Sequence, residues 1–124
     1  MKYILAFVPP DHFHRIYEAL VDAHVRGMTV SDAEGFGQEH DPSNPEHLDF
    51  FGVEMTPKKR LEIFCHDGEV ETIVQAIYSA SHTGLAGDGK VFILPVEGAL
   101  RIKTGEKGEM ALGSGKKRPP QRIQ

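Results

Sequence analysis

Residues 58–78 read Lys58-Lys59-Arg60-Leu61-Glu62-Ile63-Phe64-Cys65-His66-Asp67-Gly68-Glu69-Val70-Glu71-Thr72-Ile73-Val74-Gln75-Ala76-Ile77-Tyr78. The hydrophobic period changes half-way along this stretch. Up to Cys65 polar and apolar residues alternate, as in a half-buried strand, and Asp67-Gly68 turns the chain. Beyond it Val70, Ile73, Val74, Ile77 and Tyr78 recur at spacings of three and four, which predicts one buried helical stripe ending near Thr83-Gly84. Gly87-Asp88-Gly89 is a turn, and Lys90–Val96 is apolar and β-compatible. The unit is strand–helix–strand.

The N-terminal part repeats that order. Lys2–Val8 is an apolar strand stopped by Pro9-Pro10. Asp11 reads as a helix N-cap, Phe13, Ile16, Tyr17, Leu20, Val21 and His24 as a helical stripe, and Gly27 as its stop. A second strand begins at Met28-Thr29-Val30 and runs towards Gly35-Phe36-Gly37. Two βαβ units in tandem predict an α+β, ferredoxin-like domain: an antiparallel sheet with both helices on one face. Only two helices are available, so the other, apolar face is bare and asks for a partner, with self-association the natural solution.

Between the units, residues 38–57 are rich in proline and acids and lose all periodicity, which predicts a long functional loop without regular structure. Leu100-Arg101-Ile102-Lys103 reads as a short fifth strand. Residues from Gly113 onward read as a flexible tail.

The 124 residues are enough for one core. The net charge of −4 hides an acidic body and a basic tail, Lys116, Lys117, Arg118 and Arg122. An acidic body argues against nucleic-acid binding, and no apolar run is long enough to insert in a membrane. Cys65 is the single cysteine, so an internal disulfide is excluded, and a cytoplasmic setting is expected. The seven histidines lack metal-binding spacing, and no nucleophilic catalytic set is marked. The glycine cluster Gly84–Lys90 exposes backbone N–H groups beside a lysine, a chemistry suited to phosphate. On a strand, Arg101 and Lys103 would point to one face and could meet the same phosphates.

Thr83-Gly84-Leu85-Ala86-Gly87-Asp88-Gly89-Lys90-Val91-Phe92-Ile93, with Arg101–Glu106, Gly27–Val30 and Gly35-Phe36-Gly37, resembles the signature of the PII signal-transduction family. The resemblance spans residues 1–112 and leaves 113–124 outside. It implies a homotrimer around a central barrel-like core of sheets, and adenine nucleotides (ATP or ADP, with AMP a further candidate) in the clefts between subunits. By position, Gly87, Asp88, Gly89, Lys90, Arg101 and Lys103 would hold the phosphates. Gly35, Phe36, Gly37 and Gln38 would form one wall, and Gly27, Met28, Thr29, Glu62 and Phe64 would line the adenine side. Residues 37–57 correspond to the T-loop, which docks on a transporter or enzyme, and Lys58 to the effector lysine.

The departures are informative. Gln38 and Lys103 stand where arginine is usual, which loosens the bidentate phosphate grip. Glu39 replaces a neutral glutamine as the Mg²⁺ ligand beside a 2-oxoglutarate effector. A carboxylate can hold Mg²⁺ but repels a dianion, so bicarbonate is an alternative effector. The loop tip Asp49-Phe50-Phe51-Gly52-Val53 lacks the modifiable tyrosine. The expected function is a non-enzymatic, adenylate-sensing regulator in nitrogen or inorganic-carbon metabolism. The alternatives are a slow ATPase using Lys90 with Glu39 or Asp88, and a passive trimeric scaffold.

Overall fold

The computed structural model describes residues 1–36, 48–50 and 53–113, with side chains omitted at 48–50, 53 and 54. Five strands and two helices follow in the order β1 (Lys2–Val8), α1 (Phe13–Asp22), β2 (Thr29–Gly35), β3 (Leu48–Phe50), β4 (Val53–Cys65), α2 (Val70–Ser81) and β5 (Lys90–Pro95). The main sheet has the order β2-β4-β1-β5, with every pairing antiparallel. This is the ferredoxin-like α+β arrangement that the two period changes predict.

Alternation along the strands decides what each face does. Ile4, Ala6 and Val8 of β1 and Leu61, Ile63 and Cys65 of β4 turn to the helices. There they pack with Ile16 and Leu20 of α1 and Ile73 and Ile77 of α2 in one core almost closed to solvent. The other face carries Tyr3, Leu5 and Phe7 of β1, Phe64 of β4, and Phe92 and Leu94 of β5, brought side by side by the register Tyr3↔Phe64, Leu5↔Phe92 and Tyr3↔Leu94. Phe64 is 53% exposed and Phe92 48%. Among the described residues of this single chain, nothing covers the apolar face at Phe64 and Phe92.

Several local expectations need correction. Asp11 caps nothing: Pro10–His12 forms a 3-10 turn, and α1 starts after it without a side-chain cap. That helix ends at Asp22 rather than Gly27, because His24 takes a left-handed φ of 60° and breaks the ladder. Likewise α2 ends at Ser81, and Tyr78 leaves the buried stripe to stack half-exposed on His82 at 4.8 Å.

The 38–57 stretch is not structureless throughout. Leu48–Phe50 pairs with Val53–Met55, so β4 runs on beyond the main sheet as part of a two-stranded ribbon. Pro57 is tolerated inside β4 at a position where β2 is its neighbour in the ladder and β1 has already ended. Residues 100–103 form no fifth strand. A single bridge joins Leu100 to Lys107, and Arg101–Thr104 turn between them. The Gly105 N–H donates to Arg101 O at 2.7 Å with Gly105 at φ +76°, which closes that turn. Residues 114–124, most of the expected tail, lie outside the described residues.

Candidate functional site

The glycine loop between α2 and β5 is organised by one carboxylate. Asp88 accepts from the Thr83 N–H at 2.7 Å, the Gly84 N–H at 2.9 Å and the Thr83 hydroxyl. Partial burial raises its pKa, but the hydrogen bonds from Thr83 and Gly84 outweigh it and hold the carboxyl below its ordinary range. Asp88 therefore uses its carboxylate to shape the loop from within. Gly89, at φ +106°, lies against β1 so closely that a Cβ would sit 2.1 Å from Phe7 O.

A group whose folded pKa is depressed stabilises above its unfolded pKa and loses that contribution as pH falls through the folded one. Asp88→Ala is expected to lower stability at neutral pH by about 1–3 kcal/mol, the cost of orphaning charge-assisted hydrogen bonds. It should also flatten the loss of stability seen below about pH 4, the ordinary carboxylate range. Urea titrations of both proteins between neutral and acid pH check this.

The remaining site residues fall into two groups. At one end of the sheet stand Gly35 and Phe36 on leaving β2, Lys58 in β4, and Gly87, Asp88, Gly89 and Lys90. The Lys58 ammonium donates to Gly87 O at 3.1 Å and so ties the base of the ribbon to the glycine loop. Phe36 is 74% exposed. Gly37, Gln38 and Glu39, expected beside them, lie outside the described residues.

The other end holds Gly27 and Met28, just before β2, with Thr29 opposite Glu62 in register. Glu62 accepts from the Tyr3 hydroxyl at 2.7 Å, and Phe64 stacks flat on the Tyr3 ring at 4.8 Å. That hydrogen bond to Glu62, more than burial, pushes the Tyr3 pKa up. The segment carrying Arg101 and Lys103 belongs to this end too. Arg101 donates to Ala111 O at 3.4 Å, and Glu109, two residues before Ala111, bonds His66 next to β4's end. Since 101–104 turn, the shared strand face expected for Arg101 and Lys103 is absent.

Thr29 and Gly35 are six residues apart on β2, as are Lys58 and Phe64 on β4, so the two groups lie about 20 Å apart along the strands at ~3.4 Å per residue. Sequence reasoning missed the residues that brace the loop, His12 and Ser81. The Ser81 hydroxyl donates to Asp88 O at 3.2 Å and lies 2.9 Å from His12 Nδ1. Its spacing of four from Ile77 is the signal that could have placed Ser81 on the buried stripe.

Fold and clusters together define a small ferredoxin-like domain with a braced glycine loop and a ribbon extending past its sheet. The family model for nitrogen regulatory protein P-II matches residues 1–106. The chain is 39% identical to the nitrogen regulatory protein P-II of Azospirillum brasilense, 42% to that of Cereibacter sphaeroides and 38% to that of Synechocystis sp. strain PCC 6803. Each match covers 112 residues, 90% of this chain and all of the relative. The chain thus belongs to the nitrogen regulatory protein P-II family, whose members are signal-transduction regulators rather than enzymes. Among the described residues, no helix is long and apolar enough to cross a membrane.

Proposed function

We propose that this chain is an adenine-nucleotide-responsive regulator whose binding site is built from two half-sites on neighbouring copies. The observation that carries the reading is the separation just described. One chain offers a phosphate-type half-site (Gly35, Phe36, Gly87–Lys90, Lys58) and an aromatic half-site with two cations (Gly27, Met28, Thr29, Glu62, Phe64, Arg101, Lys103) at opposite ends of its sheet. Copies arranged head to tail in a closed ring set one half against the other. A ring of three also buries the open Tyr3–Leu5–Phe7–Phe92–Leu94 face in its centre.

Phosphates suit the glycine loop because its backbone N–H groups and Lys90 supply donors and charge. Either ATP or ADP satisfies that chemistry. The ribbon of β3 and β4 leaves the sheet next to Lys58. Occupancy of the phosphate half-site would therefore bias the loop that carries Glu39, and the loop in turn would engage a target transporter or enzyme by differential affinity. Lys58 is the cation for a small anionic effector, 2-oxoglutarate or bicarbonate. Mg²⁺, if it joins the site, would be held through Glu39 and the nucleotide phosphates. The family supports nitrogen metabolism as the setting.

Lys90→Ala and Arg101→Ala are each expected to weaken ATP and ADP by about 1.5–3 kcal/mol, the value of a charged hydrogen bond. Calorimetric titration measures this. Unchanged binding in both variants would remove these residues from the site.

A further inference from the structure

A groove of about 320 Å³ runs between α1 and the start of β2. Phe13, Tyr17 and Val21 of α1 wall one side, and Val25, Met28 and Val30 the other. Val30 pairs with the core residue Leu61, whereas Thr29 pairs with Glu62, so the groove opens on the sheet face opposite Glu62 and Phe64. The lining is apolar apart from the Tyr17 hydroxyl, and Val30 is 37% exposed. The Phe13 and Tyr17 rings stand 6.2 Å apart, tilted by 47°. Grooves lined by aromatic rings take proline-containing segments, whose extended conformation is already set by the ring and costs little entropy to hold.

The surroundings of the groove are acidic. Glu18 and Asp22, each one residue on from Tyr17 and Val21, lie about 100° round α1 from them and border the outer wall. Asp32 shares the face of Val30 on β2, and its side chain is 84% exposed. Glu69 stands at the Val25 end of the groove, bonded to Arg26 at 2.8 Å. Against these four carboxylates stand Lys59, tied to Asp32, Arg26, tied to Glu69, and Arg15 further round the helix.

The chain supplies a segment of matching chemistry: Lys116-Lys117-Arg118-Pro119-Pro120-Gln121-Arg122-Ile123 has two prolines between four cations and no acid. Its point of departure lies close to the groove. Glu109, four residues before Gly113, bonds His66; the His66 N–H donates to Glu69 at 2.9 Å; and Glu69 holds Arg26, the neighbour of Val25. At ~3.3 Å per residue, residues 114–120 reach about 23 Å. The groove runs ~15 Å along α1 at 1.5 Å per residue. We propose that residues 116–123 dock in the α1–β2 groove of their own chain, with Pro119 and Pro120 on the Phe13–Tyr17 rings and the cations against Glu18, Asp22 and Asp32.

The test uses the full chain with Gln121→Cys carrying a nitroxide spin label. Cys65 is 2% exposed, so the label goes to the new thiol, and failure of the parent protein to react confirms it. In amide NMR spectra Tyr17–Val25 and Met28–Val30 are expected to lose most of their intensity, and to regain it when the label is reduced. Reversing the charges of the tail (Lys116→Glu, Lys117→Glu, Arg118→Glu) should abolish the loss while leaving the domain's melting temperature in place. Reversing the wall instead (Glu18→Lys with Asp22→Lys) should also abolish it, and combining the two sets should bring it back. If the wall variant fails to fold, the tail variant decides alone. Broadening spread evenly over the domain, or centred on the open Tyr3–Phe92 face, overturns the inference. So does loss at Tyr17–Val25 that survives charge reversal of the tail.

Discussion

Gly89→Ala is expected to cost about 3–4 kcal/mol, at the severe end for a single methyl group, because overpacking and backbone strain add. The new Cβ would lie 2.1 Å from Phe7 O and 3.2 Å from both Phe7 C and Val8 Cα. All three are backbone atoms of β1, a central strand bonded to β4 on one side and β5 on the other, so none can yield cheaply. The φ of +106° adds a second cost, since side chains rarely adopt it. The melting temperature should fall by about 10 °C or more for a domain of this size, and nucleotide binding should fall with it as the loop lifts from β1. Gly27→Ala is the control: nothing lies within 4 Å of its Cβ position and its φ is not positive, so about 1 kcal/mol is the most it should change. A Gly89→Ala protein within that same margin of the parent would contradict the close packing of the glycine loop on β1.

The frame of the fold was legible because period and punctuation agreed. Lys2–Val8 is apolar and stopped by two prolines, and the strand has those bounds. Where one local signal stood alone, geometry overrode it. The alternation Leu100-Arg101-Ile102-Lys103 has a strand's period, yet Gly105 and Gly108 at positive φ close the chain into a turn before any ladder can grow. Leu48–Phe50 and Val53–Met55 were invisible for the opposite reason: three residues are too few to show a period. Of the candidate site, residue types were readable but not their partners. Asp88 reads as a phosphate-loop residue in sequence, but that its carboxylate ties Thr83 and Gly84 together depends on the loop's geometry. That Lys90 and Phe64 lie at opposite ends of the sheet depends on strand register, which residue types alone do not reveal.

The same separation yields the second large effect. If phosphate and adenine halves meet only between copies, Lys90→Ala spoils one half of every interface and Arg101→Ala the other, and each variant alone should bind nucleotide weakly. In a mixed ring, however, an Arg101→Ala subunit contributes an intact glycine loop and a Lys90→Ala neighbour an intact aromatic half. Random mixing then pairs two intact halves at about a quarter of the interfaces, because a heterologous contact takes a different patch from each copy. Sedimentation should first give a mass near three chains for each variant, as burial of the Tyr3–Leu5–Phe7–Phe92–Leu94 face requires. The two variants, unfolded together in urea and refolded, are then titrated with ATP. The account predicts that tight binding returns with a stoichiometry near one quarter of that of the parent protein, although neither variant refolded alone shows it. A refolded mixture no better than its two components, with mixed trimers shown to have formed, would place both halves in one chain and contradict the shared site.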